Sequence, residues 1–234
     1  MDIHILGTSH VSSVSVKNIE QAIQDIKPTV IAVELDEQRL HTLLSQKKPR
    51  LPLSAIRTLG VKGFLFAAFA MTTQQFVGKM LRMQPGSDML TGVRLAKKHN
   101  IKLALIDQPI NKTLQQLSKR MSFGDVVRFC YDSIYSIIRP RRFAQKYNLK
   151  PLSVNQPSPE AVTAAIHYLE VRFPDIYDVL VHQRNLYMAQ KVLSMKSEET
   201  VLTIVGAGHV DGLHEMLHET RYNYTVSGAD MDVA

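Results

Sequence analysis

Two short turns share one spacing: Gly7-Thr8-Ser9-His10 and Gly206-Ala207-Gly208-His209, each directly after a run of aliphatic residues. Glycine lets a chain leave a strand sharply, and a histidine three residues on then sits near the start of the next helix. Another aliphatic run ends in "VELD", delivering Glu34 and Asp36, and another in "LIDQ", delivering Asp107. Two imidazoles and a carboxylate (His10, His209 and Glu34) meeting at one edge have the donor chemistry of a transition-metal site with a position left for water. Taken singly, either G-x-x-H is better read as a turn glycine followed by a helix-capping histidine. The pair, with Glu34 on a third element, brings the metal reading level with that one. Glu34 could also hold a ribose hydroxyl, but a dinucleotide site wants G-x-G-x-x-G after the first strand, and "LGTSHVSS" does not supply it.

A second arrangement competes. His214-Glu215-Met216-Leu217-His218 spells H-E-x-x-H, which on a helix puts two imidazoles on one face beside a carboxylate. Such a site needs a third ligand from a downstream element. The residues after His218 read as a strand and a tail, and Leu213, Met216 and Leu217 form the buried stripe of this helix. The histidines then lie on its solvated flank.

The strands and helices that must position these groups are readable from the pattern. Ile3 to Leu6, Val30 to Val33, Leu103 to Ile106 and Val201 to Val205 are short apolar runs rich in Ile and Val, and each reads as a strand buried on both faces. Tyr222 to Val226 alternates and reads as an edge strand. Between the first two strands, Val16, Ile19, Ala22, Ile23 and Ile26 follow helical spacing, with Ser15 as N-cap and Pro28 as the stop. Further helices are predicted over "PGSDMLTGVRLAKKHN" (stopping at Asn100), "NKTLQQLSKRM", "FGDVVRFCYDSIYSIIRPRR" and from Pro159 to about Lys196, with an interruption at Pro174. The expected fold is α/β: a central, largely parallel sheet with helices on both faces. Residues 1–234 make one domain, with a large helical insertion at 51–100 between the second and third strands and a second helical region at 110–200. Each strand then delivers a carboxylate or an imidazole at its C-terminal end, the edge where open α/β sheets bind ligands.

Composition narrows the setting. The 234 residues are 45% hydrophobic, enough for one substantial core, and the one cysteine, Cys130, excludes a disulfide framework within the chain. The start, "MDIHILGTSH", lacks the basic region and apolar run of a signal peptide. "GFLFAAFAM" is far short of the ~20 apolar residues that cross a bilayer. A cytoplasmic protein without a transmembrane segment is the expectation. The net charge is +7, gathered at "KKPR" and "RPRR". Such clusters can meet nucleic acid or an anionic membrane surface; no aromatic residues interleave with them, which argues against a nucleic-acid partner, and a solvated basic face is the preferred reading. The apolar stretch from Leu53 to Met83 exceeds what a compact core needs, and predicts a homodimer.

The segments "GTSHVSSVSV", "VIAVELDEQRL", "PGSDM", "LIDQPINKTL", "FPDIYDVLVHQRNLYMAQ" and "VGAGHVDG", in that order, resemble the signature segments of the TraB, or pheromone-shutdown, family, from about Ile3 to Gly212. That family is grouped with Tiki-type metalloproteases and erythromycin-esterase-like proteins. The resemblance implies that His10, Glu34 and His209 are the metal and catalytic residues, and that the activity is metal-dependent hydrolysis of a peptide bond or inactivation of a peptide signal. Two positions depart from the family's pattern. Gln183-Arg184 stands where Glu-Arg is usual, and Asp107-Gln108 where Asp-Arg is usual. A glutamine serves neither as general base nor as anionic ligand.

The combined expectation is a metal-dependent hydrolase acting on peptides. A divalent ion (Mn, Co or Zn) would be held by His10, His209 and Glu34, with Glu34 as ligand or base. Thr8, Ser9 and Ser12 would orient substrate, Asp107 would line the site, and Arg184 would bind a substrate carboxylate. Gly7, Gly206 and Gly208 would form the turns. The rival is a non-catalytic protein that binds a peptide or another anion in the same cleft.

Overall fold

The computed structural model describes residues 1–8, 13–45, 53–57, 59–64, 67–68, 87–149 and 159–218. Within them the aliphatic runs form β1 (Asp2–Thr8), β2 (Val30–Val33), β3 (Lys102–Leu105) and β4 (Thr200–Gly206). They make one sheet in the order β1-β4-β2-β3, with every pairing parallel. The strands fall where the aliphatic pattern puts them, with β1 and β4 extended at both ends and β3 one residue earlier. Only β2 and β4 are buried on both faces, because β1 and β3 are the sheet's edges and are partly exposed. The candidate strand from Tyr222 to Val226 lies outside the described residues.

Alternation within the strands divides the core in two. Ile31 and Val33 of β2, with Leu202 and Ile204 of β4, face α1 (Ser13–Ile26), which supplies Ile19 and Ile23. Met89, Leu95 and Ala96 cover the same side from a later helix (Ser87–Lys98). Val30, Ala32, Val201 and Val205 face the other way, onto Met188, Ala189 and Val192 and onto Leu213 and Leu217. Burial of both faces is what permits an uninterrupted aliphatic strand. Each fully buried side chain of this kind contributes roughly 1.5–3 kcal/mol.

The helices end where the local chemistry ends them. α1 starts before Ser15 and closes at Lys27, whose φ of 50° is left-handed, ahead of Pro28. α2 (Glu37–Leu44) is capped by Asp36, whose Oδ1 accepts from the amides of Gln38 and Arg39 at 2.8 and 3.0 Å. α3 is the helix Ser87–Lys98 already met, and the stop expected at Asn100 takes φ 56°. Short helical stretches at 55–57 and 59–64 precede it.

A helical layer follows β3: α4 (Ile110–Arg120), α5 (Phe123–Ile138) and α6 (Pro140–Lys146). The sequence pattern predicts α5 and α6 as one helix. Pro140 disfavours helical geometry at the residue before it, and Arg139 (φ −133°) divides them. α7 (Pro159–Arg172) and α8 (Pro174–Tyr177) break at the predicted Pro174. A π-helical turn, Asp178–His182, then leads directly into α9 (Gln183–Leu193). After β4, α10 runs over 210–218. No helix among the described residues is long and apolar enough to cross a membrane.

Candidate functional site

The strands stop at one rim, and backbone pairing continues just far enough to fix the residues beyond it. The Glu34 amide donates to Ile204 O at 3.0 Å and the Asp107 amide to Leu35 O at 3.2 Å. Both carboxylates are thereby set at the ends of the neighbouring strands β2 and β3. His209 closes the turn Ala207–His209 that follows β4. Glu34, Asp107 and His209 are all buried.

Arg184, on the first turn of α9, lies among them. Its Nε and Nη2 donate to Asp107 Oδ1 and Oδ2 at 2.9 and 2.8 Å, and Nη2 also donates to Glu34 Oε1 at 2.5 Å. Nη1 donates to Leu180 O at 3.2 Å and lies 3.1 Å from His209 Nε2. A guanidinium has five N–H donors, and these five acceptors use them all. In this arrangement none is left over for a substrate carboxylate.

The imidazole of His209 is fixed from both sides. Nδ1 is 2.7 Å from Asn185 Oδ1, an acceptor, so Nδ1 carries the proton. Nε2 lies 3.1 Å from Arg184 Nη1. It lies 3.4 Å from Glu34 Oε1. The other Glu34 oxygen, Oε2, accepts from the Gly206 amide at 2.7 Å.

Burial opposes ionisation of Glu34, but His209, Arg184, the Gly206 amide and Arg39 outweigh it and hold its pKa at about 2. Burial likewise opposes the charge on Arg184, and the two carboxylates overcome it, raising the group above its ordinary value. Arg39 adds a second cation from α2, its Nη1 2.7 Å from Asp107 Oδ2. Two carboxylates and two guanidinium groups leave this cluster close to neutral.

Glu34 Oε1 and His209 Nε2 are suitable donors for a divalent transition metal, and each donor group has a second partner that orients it. Among the described residues no set of three His, Cys, Asp or Glu side chains is arranged to hold a metal ion. His10, the third ligand expected from the sequence, lies outside the described residues, as do Ser9 and Ser12. Arg184 stands where the two donors converge. A metal bound there must displace Nη1 and Nη2 from them.

The remaining expected residues have definite places. Thr8 is buried at the end of β1 and its hydroxyl donates to Asp88 Oδ2, from α3. Gln108 is buried and turned away from the cluster, donating to Thr113 Oγ1 and Gln116 Oε1 at 2.9 and 3.0 Å. Gln183 donates to Asp178 Oδ2 at 2.7 Å, an oxygen that Arg120 also contacts. His214 and His218 are exposed on α10, while Leu213 and Leu217 are buried.

The glycines serve a different purpose from the one the pattern predicts. Among the described residues Gly60 is the only glycine with positive φ, and Gly206 has an ordinary φ of −62°. What the turns require is room. A methyl on Gly7 would come within 2.7 Å of Val210 Cγ2. One on Gly212 would reach 2.4 Å from Asn185 Nδ2 and push at the group that orients His209.

Asn185, Asp88 and Arg39 are absent from the sequence-based site. Two of them had a signal. Asn185 lies three, four and seven residues before Met188, Ala189 and Val192, on the buried stripe of its helix. Asp88 stands likewise four, seven and eight residues before Gly92, Leu95 and Ala96. A polar residue on an apolar stripe needs a buried partner.

Comparison with known proteins agrees with the ordered motifs. The model of the TraB/PrgY/gumN family matches residues 1–226. An uncharacterised protein of Methanocaldococcus jannaschii is 29% identical over 99% of this chain and 56% of its own length. The TraB domain-containing proteins of Homo sapiens and Mus musculus are 23% and 22% identical, over 91% of this chain and 62% of theirs. The chain thus spans between 56% and 62% of the length of these relatives.

Proposed function

The chain belongs to the TraB/PrgY/gumN family, and on that premise we propose that it is a metal-dependent hydrolase acting on peptides at the C-terminal rim of its sheet. The observation that carries this reading is the convergence of Glu34 Oε1 and His209 Nε2 to 3.4 Å. His10 is the third ligand in the proposal. A bound divalent ion would supply a water of lowered pKa and polarise the scissile carbonyl.

The chain's own residues have separate tasks. Glu34 serves as ligand or as base, its carboxylate oriented by the Gly206 amide, which donates to Oε2 at 2.7 Å. Asn185 holds the His209 ring with Nε2 toward the cleft. Asp107 keeps Arg184 beside the reacting groups, a cation placed to favour negative charge developing on substrate. Thr8, tied to Asp88, fixes the end of β1, which Ser9, His10 and Ser12 follow in sequence. We place this activity in the cytoplasm, in keeping with the single cysteine, and in a homodimer through the segment from Leu53 to Met83, where Leu53 and Val61 are exposed.

A second reading rests on the near-neutral charge of the cluster. A site whose carboxylates are already matched by Arg184 and Arg39 has little attraction for a cation, and fits a protein that binds peptide without cleaving it.

Metal analysis separates the two. The chain, purified without chelator or a histidine tag and tested with peptide, should carry metal and hydrolyse. Both properties should be lost in His10→Ala, His209→Ala and Glu34→Gln. Equal metal content in all variants, or none in any, overturns the hydrolase reading in favour of the second.

A further inference from the structure

α5 is apolar on two sides, and the helical layer uses one. Val126 and Phe129 face inward, onto Phe173, Ile176 and Val179. On the opposite side Phe123, Val127, Tyr131, Ile134 and Ile138 fall within an arc of about 80° at 100° per residue. These five side chains are between 49% and 68% exposed. Their helix is 16 residues long, so the stripe extends over about 24 Å. An exposed apolar patch of this size marks a contact surface.

Charge identifies the occupant. From 119 to 146 the chain carries Lys119, Arg120, Arg128, Arg139, Arg141, Arg142 and Lys146 against Asp125 and Asp132. Asp132 is buried and taken up by Tyr168 and Arg172 at 2.9 Å each. The stripe therefore ends in a basic rim, and Arg139, Pro140, Arg141 and Arg142 line a surface depression there. A second copy docked through the same segment offers these cations only Asp125 besides the buried Asp132. Nucleic acid would leave the apolar stripe in water.

We propose that the outer face of α5, with the arginines that lead into α6, is a docking surface for an anionic lipid bilayer. The helix lies in the interface plane, its apolar residues at the acyl boundary. The arginines reach lipid phosphates, and Tyr131 sits at headgroup level. The surface is separate from the rim where Glu34 and His209 meet, so this inference stands or falls without the hydrolase reading.

Co-sedimentation of the full chain with vesicles tests it. The chain should bind vesicles rich in phosphatidylserine, weakly bind pure phosphatidylcholine, and dissociate as salt rises. A basic group near an anionic surface contributes about a factor of five, so Arg139→Gln with Arg141→Gln and Arg142→Gln should weaken binding roughly a hundred-fold. Ile134→Glu with Ile138→Glu should abolish it while leaving the circular dichroism unchanged. The chain has no tryptophan, so Ile134→Trp provides a single probe whose emission should shift to the blue on these vesicles. Three outcomes overturn the proposal: no shift, equal binding by the variants, or displacement by inorganic phosphate at constant ionic strength. A dimer dissolved by Ile134→Glu, without vesicle binding, would assign the face to a second copy instead.

Discussion

Arg184 holds Asp107 as a fork-to-fork pair, Nε to Oδ1 at 2.9 Å and Nη2 to Oδ2 at 2.8 Å, between α9 and the end of β3. Both side chains are nearly excluded from water, 15% and 2% exposed. Parallel N–H···O bonds of this kind fix direction as well as distance, and here the direction aims Nη1 at His209 and the outer edge of Nη2 at Glu34. The rim is thereby a unit whose parts constrain one another.

Removing the arginine should therefore cost more than its own contacts. Arg184→Gln leaves Glu34 and Asp107 buried with only part of their compensation, and losses of about 3–5 kcal/mol follow from breaking such a pair. Arg184→Lys keeps the charge and loses the fork, and should fall between. Urea unfolding midpoints at constant m-value check the order: wild type, then Lys, then Gln. Equal midpoints would mean that the cluster does not hold the rim.

Glu34 makes the stability depend on acid in a defined direction. Its ordinary pKa of 4.5 falls to about 2 on folding, so the unfolded chain binds this proton at higher pH than the folded one. The contribution, about 3 kcal/mol, is complete above about pH 4.5 and is lost as the pH falls toward 2. Asp125 and Asp132 are also lowered, so the measurement is the difference between wild type and Glu34→Gln. That difference should be largest near neutrality and shrink through this window. A difference that does not change with pH refutes the assignment.

Orientation of His209 can be tested without touching a proposed ligand. Asn185→Leu removes the acceptor for Nδ1, and Gly212→Ala drives a methyl toward the Asn185 amide. Either should lower metal affinity or peptide turnover by about 10- to 100-fold, the usual effect of losing a group that orients a ligand. His214→Ala and His218→Ala, on the exposed face of α10, should stay within about 0.5 kcal/mol in stability and leave metal content unchanged.

Much of this site can be read in the sequence, for a physical reason. The strands are short runs dominated by aliphatic residues, so their ends are sharp, and Glu34, Asp107 and His209 are the polar residues that follow. The place of Arg184 cannot be read that way. The π-turn over Asp178–His182 takes in one residue more than an α-turn and so rotates everything after it. Nothing in "DVLVH" announces such a turn. The departure at 183 also changes meaning in three dimensions, because Gln183 donates to Asp178 rather than to the Glu34 cluster. Gln183→Glu should then place two carboxylates together, lower stability by roughly 0.2–0.5 kcal/mol and leave hydrolysis no faster.

Arg184 and a metal ion ask for the same oxygen and nitrogen, Glu34 Oε1 and His209 Nε2. In wild type the ion must displace two N–H donors, and its binding energy is reduced by what those contacts are worth. In Arg184→Gln the competitor is gone and Glu34 Oε1 lacks the cation that contacts it, so the ion should bind more tightly and also stabilise more. At a free metal concentration a hundred times its Kd, the gain is about 2.7 kcal/mol, or roughly 5–10 °C in Tm for a chain of this size. Thermal unfolding with added Zn, Mn or Co should therefore show a larger upward shift for Arg184→Gln than for wild type at the same concentration. The shift should vanish when Glu34→Gln or His209→Ala is added. A variant that gains nothing from any of the three ions, while still folded, would leave Arg184 as the permanent cation of this site, and the peptide-binding reading would replace the hydrolase.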